Sequence, residues 1–493
     1  MKESSKISTI FNNSIIYAIC GLLLKCFNFF LLPLYTAYLT TEDYGITSLI
    51  NSFITTASFI VAFSLYSAVM RFYVDLKNDT EKLKRFYGTV IIFTLISSII
   101  SAILLTLLKN ILTDIIFKGI NFYPIILVCL GSLVFYCQHS IYENVLKSQQ
   151  KAKKHAIISI IYFFVSLILN ILFVVTFKMG ALGVILAGMI ANITYFLYFI
   201  IDMIKYNMIT FCVDFHLLKS ALKYSIPIIP HNISTQLAVF ISKIFINGTT
   251  SLSDVGLYSI ASQFGNIADT IQNYSSSAYT PWLFERLKSK DDGYKNDIRK
   301  AANVISAVLG LFFLGISLFA QDYIILFLND SYANAWKMVP FVVGVYTIKT
   351  MYYFYVGILF YYKKASRYLF IATLSSSLLN ILLSYFIIPI WGAYGSILAD
   401  AISMILRVLI IVVISKRFDD VGLKIKEFIF RIIVIICFIV VGLFFSYTKY
   451  AYEFNIYNFI YKIIIILVYM ISILIPYKNQ IIKVLGKKFK GGA

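Results

Sequence analysis

The chain says nearly the same thing twice. Asp43-Tyr44-Gly45-Ile46-Thr47-Ser48-Leu49 returns 211 residues later as Asp254-Val255-Gly256-Leu257-Tyr258-Ser259-Ile260, with Phe53 and Phe264 still in register beyond. Leu169-Asn170-Ile171-Leu172 returns as Leu379-Asn380-Ile381-Leu382. Gly180-Ala181-Leu182-Gly183-Val184-Ile185-Leu186-Ala187 returns as Gly392-Ala393-Tyr394-Gly395-Ser396-Ile397-Leu398-Ala399. Three matches in the same order, at offsets of 210 to 212, define a long internal repeat. In a hydrophobic chain such a repeat is the architecture of many secondary transporters, with the substrate site between the halves.

The chain is hydrophobic enough for that reading. Of its 493 residues 60% are hydrophobic and 13% charged, where a soluble domain carries about a quarter charged residues, so it reads as an all-α polytopic membrane protein. Apolar runs of about 20 residues give fourteen candidate spans. They lie near 12–38, 45–70, 86–108, 122–145, 156–177, 180–204, 226–247, 255–281, 301–320, 338–361, 368–388, 393–415, 428–447 and 459–476. The first is too long for a signal-peptide core and no small-residue cleavage site follows it, so it is expected to remain in the mature protein. The six cysteines form no CxxC pair and fall mostly inside spans, as packing residues do.

A net charge of +20 could point to nucleic acid, but its distribution does not. With the N-terminus placed in the cytoplasm, 32 of the 43 Lys and Arg residues fall on the cytoplasmic side and 5 in outer loops. That bias predicts cytoplasmic termini and no nucleic-acid partner. Trp336 and Trp391 fall at outer span ends and Trp282 at an inner one, where interfacial anchors are expected.

Six spans make up the repeat unit. An even number returns the chain to its starting side, so the halves share one orientation. The expected organisation is an N-terminal lobe at 1–204 and a linker at 205–225, read either as an amphipathic interfacial helix or as a plain connection. A C-terminal lobe follows at 226–415, then two extra spans with a basic cytoplasmic tail at 416–493. Pro227 and Pro230 should loosen the start of span 7, and Pro33 should bend span 1.

Charges inside hydrocarbon cost at least a few kcal/mol and call for a partner or an aqueous cavity. Candidates are Lys25 in span 1, Lys243 in span 7, Asp269 in span 8, Lys349 in span 10, and Asp400 with Arg407 in span 12. Lys25 and Lys349 have no acid in their own helical turns and are read as facing a cavity. Asp400 and Arg407, seven residues apart, share a helix face. Lys462 and Arg431 are set aside as near enough to span ends to reach the interface. Spans 2 and 8 carry matching polar stripes: Ser48, Asn51, Thr55 and Ser58 in one; Ser259, Ser262, Asn266 and Asp269 in the other. Such a stripe lines a cavity or bonds a neighbouring helix. His139 and Glu143 are spaced to bond each other, as a structural pair or a proton-coupling one. No phosphate-binding loop or metal-binding spacing occurs, so no cofactor is expected.

Taken in order, several segments resemble a known family. They are Leu31-Leu32-Pro33-Leu34-Tyr35 leading to Leu39-Thr40-Thr41-Glu42-Asp43-Tyr44-Gly45, Arg71-Phe72-Tyr73, and Tyr224-Ser225-Ile226-Pro227-Ile228-Ile229-Pro230-His231. Ser253-Asp254-Val255-Gly256-Leu257-Tyr258 and Tyr279-Thr280-Pro281-Trp282-Leu283-Phe284-Glu285 complete the set. The chain is similar along its length to the polysaccharide (lipid-linked oligosaccharide) flippases, of the O-antigen or capsule repeat-unit type. These belong to the multidrug/oligosaccharidyl-lipid/polysaccharide exporter superfamily. The resemblance implies a non-enzymatic transporter of the bacterial cytoplasmic membrane, with about fourteen helices in two lobes and a central cavity opening alternately to either side. The cargo it implies is an oligosaccharide on undecaprenyl pyrophosphate, and the polysaccharide polymerase machinery is an expected partner beside the membrane lipids. Members often carry an acid before the base in span 7, where this chain has Ser242-Lys243.

The candidate substrate-binding set is therefore Lys25, Lys243, Lys349, Arg407, Asp269, Asn51, Asn266 and Asp400. Its excess of cations suits a pyrophosphate or acidic sugars. Two alternatives stay open: a cation-coupled multidrug exporter, which should show the opposite charge balance, and a membrane-embedded glycan polymerase or ligase. Coupling to H⁺ or Na⁺ also stays open.

Overall fold

The computed structural model describes residues 2–362 and 367–475. The basic tail and the cytoplasmic loop after span 10, both read from sequence, lie mainly outside the described residues. Among the described residues there is no strand, and seventeen α-helices of five or more residues follow one another. They are α1 (Lys2–Phe30), α2 (Leu32–Tyr38), α3 (Thr41–Val61), α4 (Leu65–Leu76), α5 (Thr80–Leu107), α6 (Leu127–Ser148), α7 (Ala152–Asn170), α8 (Gly180–Lys205) and α9 (Phe215–Ser225). Then come α10 (Ile229–Thr249), α11 (Leu252–Ser289), α12 (Tyr294–Phe327), α13 (Val339–Tyr361), α14 (Arg367–Phe418), α15 (Ile425–Gly442), α16 (Phe444–Thr448) and α17 (Ile456–Leu474). This is an all-α, multi-pass membrane protein.

Ten helical stretches among the described residues are long and apolar enough to cross a membrane. α10, α11 and α15 lie at three further expected spans. α11 is thick with Ser, Asn and Gln, and α15 opens with Lys426, Glu427 and Arg431. α14 covers two expected spans and breaks at Gly392, whose φ of 55° favours a residue without a Cβ. Its repeat equivalent, Gly180, opens α8 with the same φ. The prolines act as expected. Span 1 divides between α1 and α2 with Pro33 in the first turn of the second piece, and Pro227 sits in a short 3₁₀ turn, Ile226–Ile228, ahead of α10. Past Lys205, the end of α8, the linker is helical only at 215–225, and Asp214 caps that helix by accepting from the backbone N–H of His216 and Leu217 at 3.0 Å.

The chain divides into two compact units, Met1–Ser259 with Thr373–Ala399, and Ile260–Ala372 with Asp400–Ala493. In the first, Leu65, Phe86, Val90, Tyr142, Leu146, Phe199 and Met203 bring α4, α5, α6 and α8 around one buried cluster. In the second, Leu283, Ile298, Tyr355, Leu359, Ile411 and Phe428 do the same for α11 to α15.

The repeated Asp-x-Gly segment has a physical meaning within the first unit. Thr40 accepts from the backbone N–H of Asp43 at 3.1 Å while the Asp43 carboxylate accepts from the N–H of Thr40, a reciprocal cap at the start of α3. In the second copy, Ser251 accepts from the N–H of Asp254 at 3.1 Å and donates to its carboxylate at 2.9 Å. The glycines one turn on let the two helices touch. A Cβ on Gly45 would run into the carbonyl of Leu252, and a Cβ on Gly256 into the carbonyl of Thr41, the repeat equivalent of Leu252. The contact is reciprocal, as a local two-fold relation between parallel helices requires.

Two expectations about anchors need correction. Trp336 is fully buried, its indole N–H donating to the carbonyl of Ala451 at 2.9 Å, whereas Trp391 is exposed as an interfacial residue should be. Lys462 does not reach the interface either. It is fully buried, 2.7 Å from the carboxylate of Asp322 and 2.8 Å from Gln321 Oε1. Asp322 lies on α12, a helix to which hydropathy alone gives no link with α17, and the pair fastens α17 to it.

Candidate functional site

Two clusters of polar side chains, one in each unit, hold the sequence candidates Lys243 and Lys349. In the first, α10 presents Lys243 to α3. Lys243 Nζ donates to Ser48 Oγ at 2.7 Å, to Ser52 Oγ at 2.7 Å and to the Ser48 carbonyl at 3.3 Å. Ser48 Oγ in turn donates to Ser259 Oγ at 2.6 Å, and Ser259 Oγ to the carbonyl of Val255 at 2.6 Å. Lys243 is 8% exposed, and all its hydrogen-bond partners are neutral oxygens. Among the described residues no carboxylate lies within ion-pair distance of it. The preceding Ser242 meets Ser384 at 3.3 Å. Three oxygens satisfy the ammonium's donors, yet none cancels its charge.

In the second unit, α11 and α13 face each other. Lys349 Nζ lies 2.6 Å from Asp269 Oδ1, with the lysine side chain 17% and the carboxylate 26% exposed. Tyr353, one turn beyond Lys349, donates to Asn273 Oδ1 at 2.7 Å and to Asp269 Oδ1 at 3.3 Å, and Asn273 Nδ2 reaches Asp269 Oδ2 at 3.2 Å. The Lys349 ammonium also stands 5.5 Å and 5.4 Å from the ring centres of Tyr346 and Tyr353, within cation–π range. Deeper in, Gln272 donates to Thr350 Oγ1 and to the carbonyl of Tyr346, both at 2.7 Å. Lys349 is thus matched by an acid 80 residues away, which the absence of acids in its own turns does not reveal.

The remaining candidates fall as follows. Arg407 and Asp400 share α14, and the Arg407 guanidinium lies within electrostatic reach of Asp400, Tyr352 and Tyr353. Lys25 lies exposed on α1, Asn51 exposed on α3, and Asn266 exposed on α11, its amide 3.5 Å from Gln263. The structure therefore joins Lys349 with Asp269, and Lys243 with Ser48 of the span 2 stripe. Ser52, Tyr346 and Tyr353 are the members that sequence reasoning missed. Ser52 sits four residues from Ser48 and Tyr353 four from Lys349, a spacing that puts each on the same helix face as a candidate already singled out.

Glu143 belongs to a different group. Its carboxylate takes a hydrogen bond from Lys147 at 3.1 Å and lies 3.5 Å from His155 Nε2, nearer than the 3.9 Å to His139. His139 instead stacks flat on Tyr195, with ring centres 3.8 Å apart. Among the described residues no group of His, Cys, Asp and Glu is arranged to hold a metal ion.

An apolar groove of about 440 Å³ opens in the second unit between α13, α14, α15 and α16. Ile348, Phe341, Ala401, Ile436, Val440 and Phe444 line it. Ile348 and Ala401 adjoin Lys349 and Asp400 in the chain, on helix faces about 100° apart.

A family model described as polysaccharide biosynthesis protein matches residues 10–287, more than half of the chain. Among curated proteins no sequence match emerges. Among solved structures, the lipid II flippase MurJ in an inward closed conformation superposes with a TM-score of 0.72 at 17% identity, over 95% of this chain and 100% of that one. A multidrug resistance MATE family transporter of the MOP superfamily, in an inward-facing conformation, gives 0.59 at 14% identity, over 85% and 98%. An outward-facing MATE family transporter gives 0.51 at 15% identity, over 83% and 95%. At these identities the likeness is one of fold.

Proposed function

The chain belongs to the polysaccharide biosynthesis protein family, and from that premise we propose that it flips undecaprenyl-pyrophosphate-linked oligosaccharide repeat units across the bacterial cytoplasmic membrane. The product serves assembly of a surface polysaccharide such as O-antigen or capsule. The observation that carries this reading is Lys243, an ammonium sunk among neutral oxygens with its charge uncancelled. A buried cation of that kind costs several kcal/mol, and a pyrophosphate oxygen that takes the place of one of the three neutral acceptors supplies the missing anion through a charge-assisted hydrogen bond. The candidate set also includes Lys25 and Asn51 in the first unit and Lys349, Arg407, Asn266, Asp269 and Asp400 in the second, side chains whose chemistry suits phosphate oxygens and sugar hydroxyls. The apolar groove beside Ile348 has the chemistry to shelter part of a polyprenyl chain.

The chain crosses the membrane fourteen times in this reading, with both termini in the cytoplasm, and works by alternating access. MATE transporters of the same fold are known in inward-facing and outward-facing conformations, which supports the last point. It acts as a transporter and makes or breaks no covalent bond.

Reconstitution tests the proposal. Vesicles holding the purified protein and a fluorescent undecaprenyl-pyrophosphate oligosaccharide are scored for the rate at which inner-leaflet glycan becomes reachable by an external glycosidase. Wild type should equilibrate the leaflets, and Lys243→Met, which keeps the volume of the side chain, should slow this about tenfold or more. Equal rates in protein-containing and protein-free vesicles, or protein-dependent movement of an organic cation in place of the lipid, would overturn the proposal.

A further inference from the structure

A second cavity, of about 650 Å³, lies away from both polar clusters, where α15 from its first residues to Phe438 meets α12 at Ala307 and the last turns of α17. Its mouth and its depth differ in chemistry. Lys424 and Lys426 stand exposed at the start of α15, and Arg431, little more than a turn further in, donates to the carbonyl of Asn303. Beyond them Phe430, Val434, Phe438 and Ile473 line the cavity with carbon, and Phe430 is 67% exposed. From Lys424 to Phe438 the helix advances about 20 Å, close to the length of a lipid headgroup and the upper half of an acyl chain.

The acid in the lining does not cancel this charge. Glu427 is taken up by Arg299, whose Nε lies 2.9 Å from Oε2, and by Asn303 Nδ2 at 2.9 Å. Glu427 and Arg299 neutralise each other, so the exposed Lys424 and Lys426 give the mouth a net positive charge.

We propose that this groove is a binding site for an anionic glycerophospholipid of the bilayer, separate from the transported lipid. The phosphate diester sits among Lys424, Lys426 and Arg431, and one acyl chain lies along Phe430, Val434 and Phe438. A basic pocket between helices at the membrane surface, continued by an apolar wall, matches a phospholipid at both ends. The two surfaces are on one helix, so the ligand is read by α15 and held against α12 and α17. This inference stands apart from the proposed transport activity.

The test uses the full chain purified in a non-ionic detergent, with bound lipid counted by native mass spectrometry. Phosphatidylglycerol and phosphatidylcholine of identical acyl chains are titrated separately. Phosphatidylglycerol should bind at least about fivefold more tightly. Changing both Lys424→Gln and Lys426→Gln should weaken it by roughly thirtyfold, near fivefold for each lysine. Lys424→Arg with Lys426→Arg should keep the preference. Both lysines are exposed, so melting temperatures should not change. Equal affinity for the two lipids, or a preference untouched in the double Gln variant, overturns the proposal. Undecaprenyl phosphate that displaces phosphatidylglycerol with the same lysine dependence, at equal or lower concentration, also overturns it and assigns the groove to the carrier.

Discussion

Ser48 and Ser259, equivalent residues of the two repeats, hydrogen-bond to each other through their hydroxyl oxygens at 2.6 Å. The bond is one link in a directed chain. Lys243 donates to Ser48, Ser48 to Ser259, and Ser259 to the carbonyl of Val255. Each donor polarises the next, so part of the ammonium's positive charge is spread towards α11. Below it, Gly45 and Gly256 hold α3 and α11 close enough for hydroxyls as short as serine's to meet. The repeated segment therefore encodes a cap, a close crossing and a hydroxyl bridge within about two turns.

That chain predicts an order of severity. Ser48→Ala removes both an acceptor for Lys243 and the donor to Ser259, and should lower stability by about 1.5–3 kcal/mol, the range for hydrogen bonds to charged groups. Ser259→Ala removes only the neutral end of the relay and should cost about 0.5–1.5 kcal/mol. Thermal melting of the purified variants checks this. A Ser259→Ala loss as large as that of Ser48→Ala would show that severity does not fall off with distance from Lys243 along the relay.

Glycine substitutions should divide by position. Gly45→Ala and Gly256→Ala each press a methyl group into a backbone carbonyl, which cannot rotate away, and should cost about 1–3 kcal/mol apiece. Gly188→Ala in α8 meets nothing within 4 Å and should be neutral or stabilising by up to about 1 kcal/mol, as alanine is the better helix former. Melting temperatures that rank all three alike would contradict the crossing.

Breaking the buried pair on α12 and α17 should be worse than removing it. Lys462→Met leaves the Asp322 carboxylate buried without its cation and should cost about 3–5 kcal/mol, while Lys462→Met with Asp322→Leu should recover much of that. Lys349→Ala, in a pair whose members keep 17% and 26% exposure, should lose less stability yet slow lipid transport. A double variant at positions 462 and 322 no more stable than Lys462→Met would rule out the pair as the cause.

The proposed topology rests on the distribution of basic residues. Single cysteines at Lys153 and Lys290 should resist an impermeant thiol reagent added to intact cells, and a cysteine at Thr250 should react. Reaction at Lys153 or Lys290 would reverse the assignment.

Much of this protein was legible in its sequence because the signals are local. Hydropathy over 20 residues marks helices, prolines 33 and 227 mark their breaks, and the recurring Asp-x-Gly marks the same cap in both halves. The intramembrane charges could also be found by position, since a lysine amid leucines is conspicuous wherever it stands. Their partners could not. Lys349 meets Asp269, Lys462 meets Asp322, and Lys243 meets Ser48 and Ser52 across 80, 140, 195 and 191 residues respectively. Which groups meet depends on how each helix is rotated and how deep it sits against its neighbour. Those two variables are fixed by packing, by contacts such as Gly45 against Leu252, and hydropathy is blind to them. For the same reason Trp336 looked like an anchor and is core, and Lys462 looked superficial and is buried. A span's end can be read from composition, but only the helices packed around it decide whether it faces lipid headgroups or another helix.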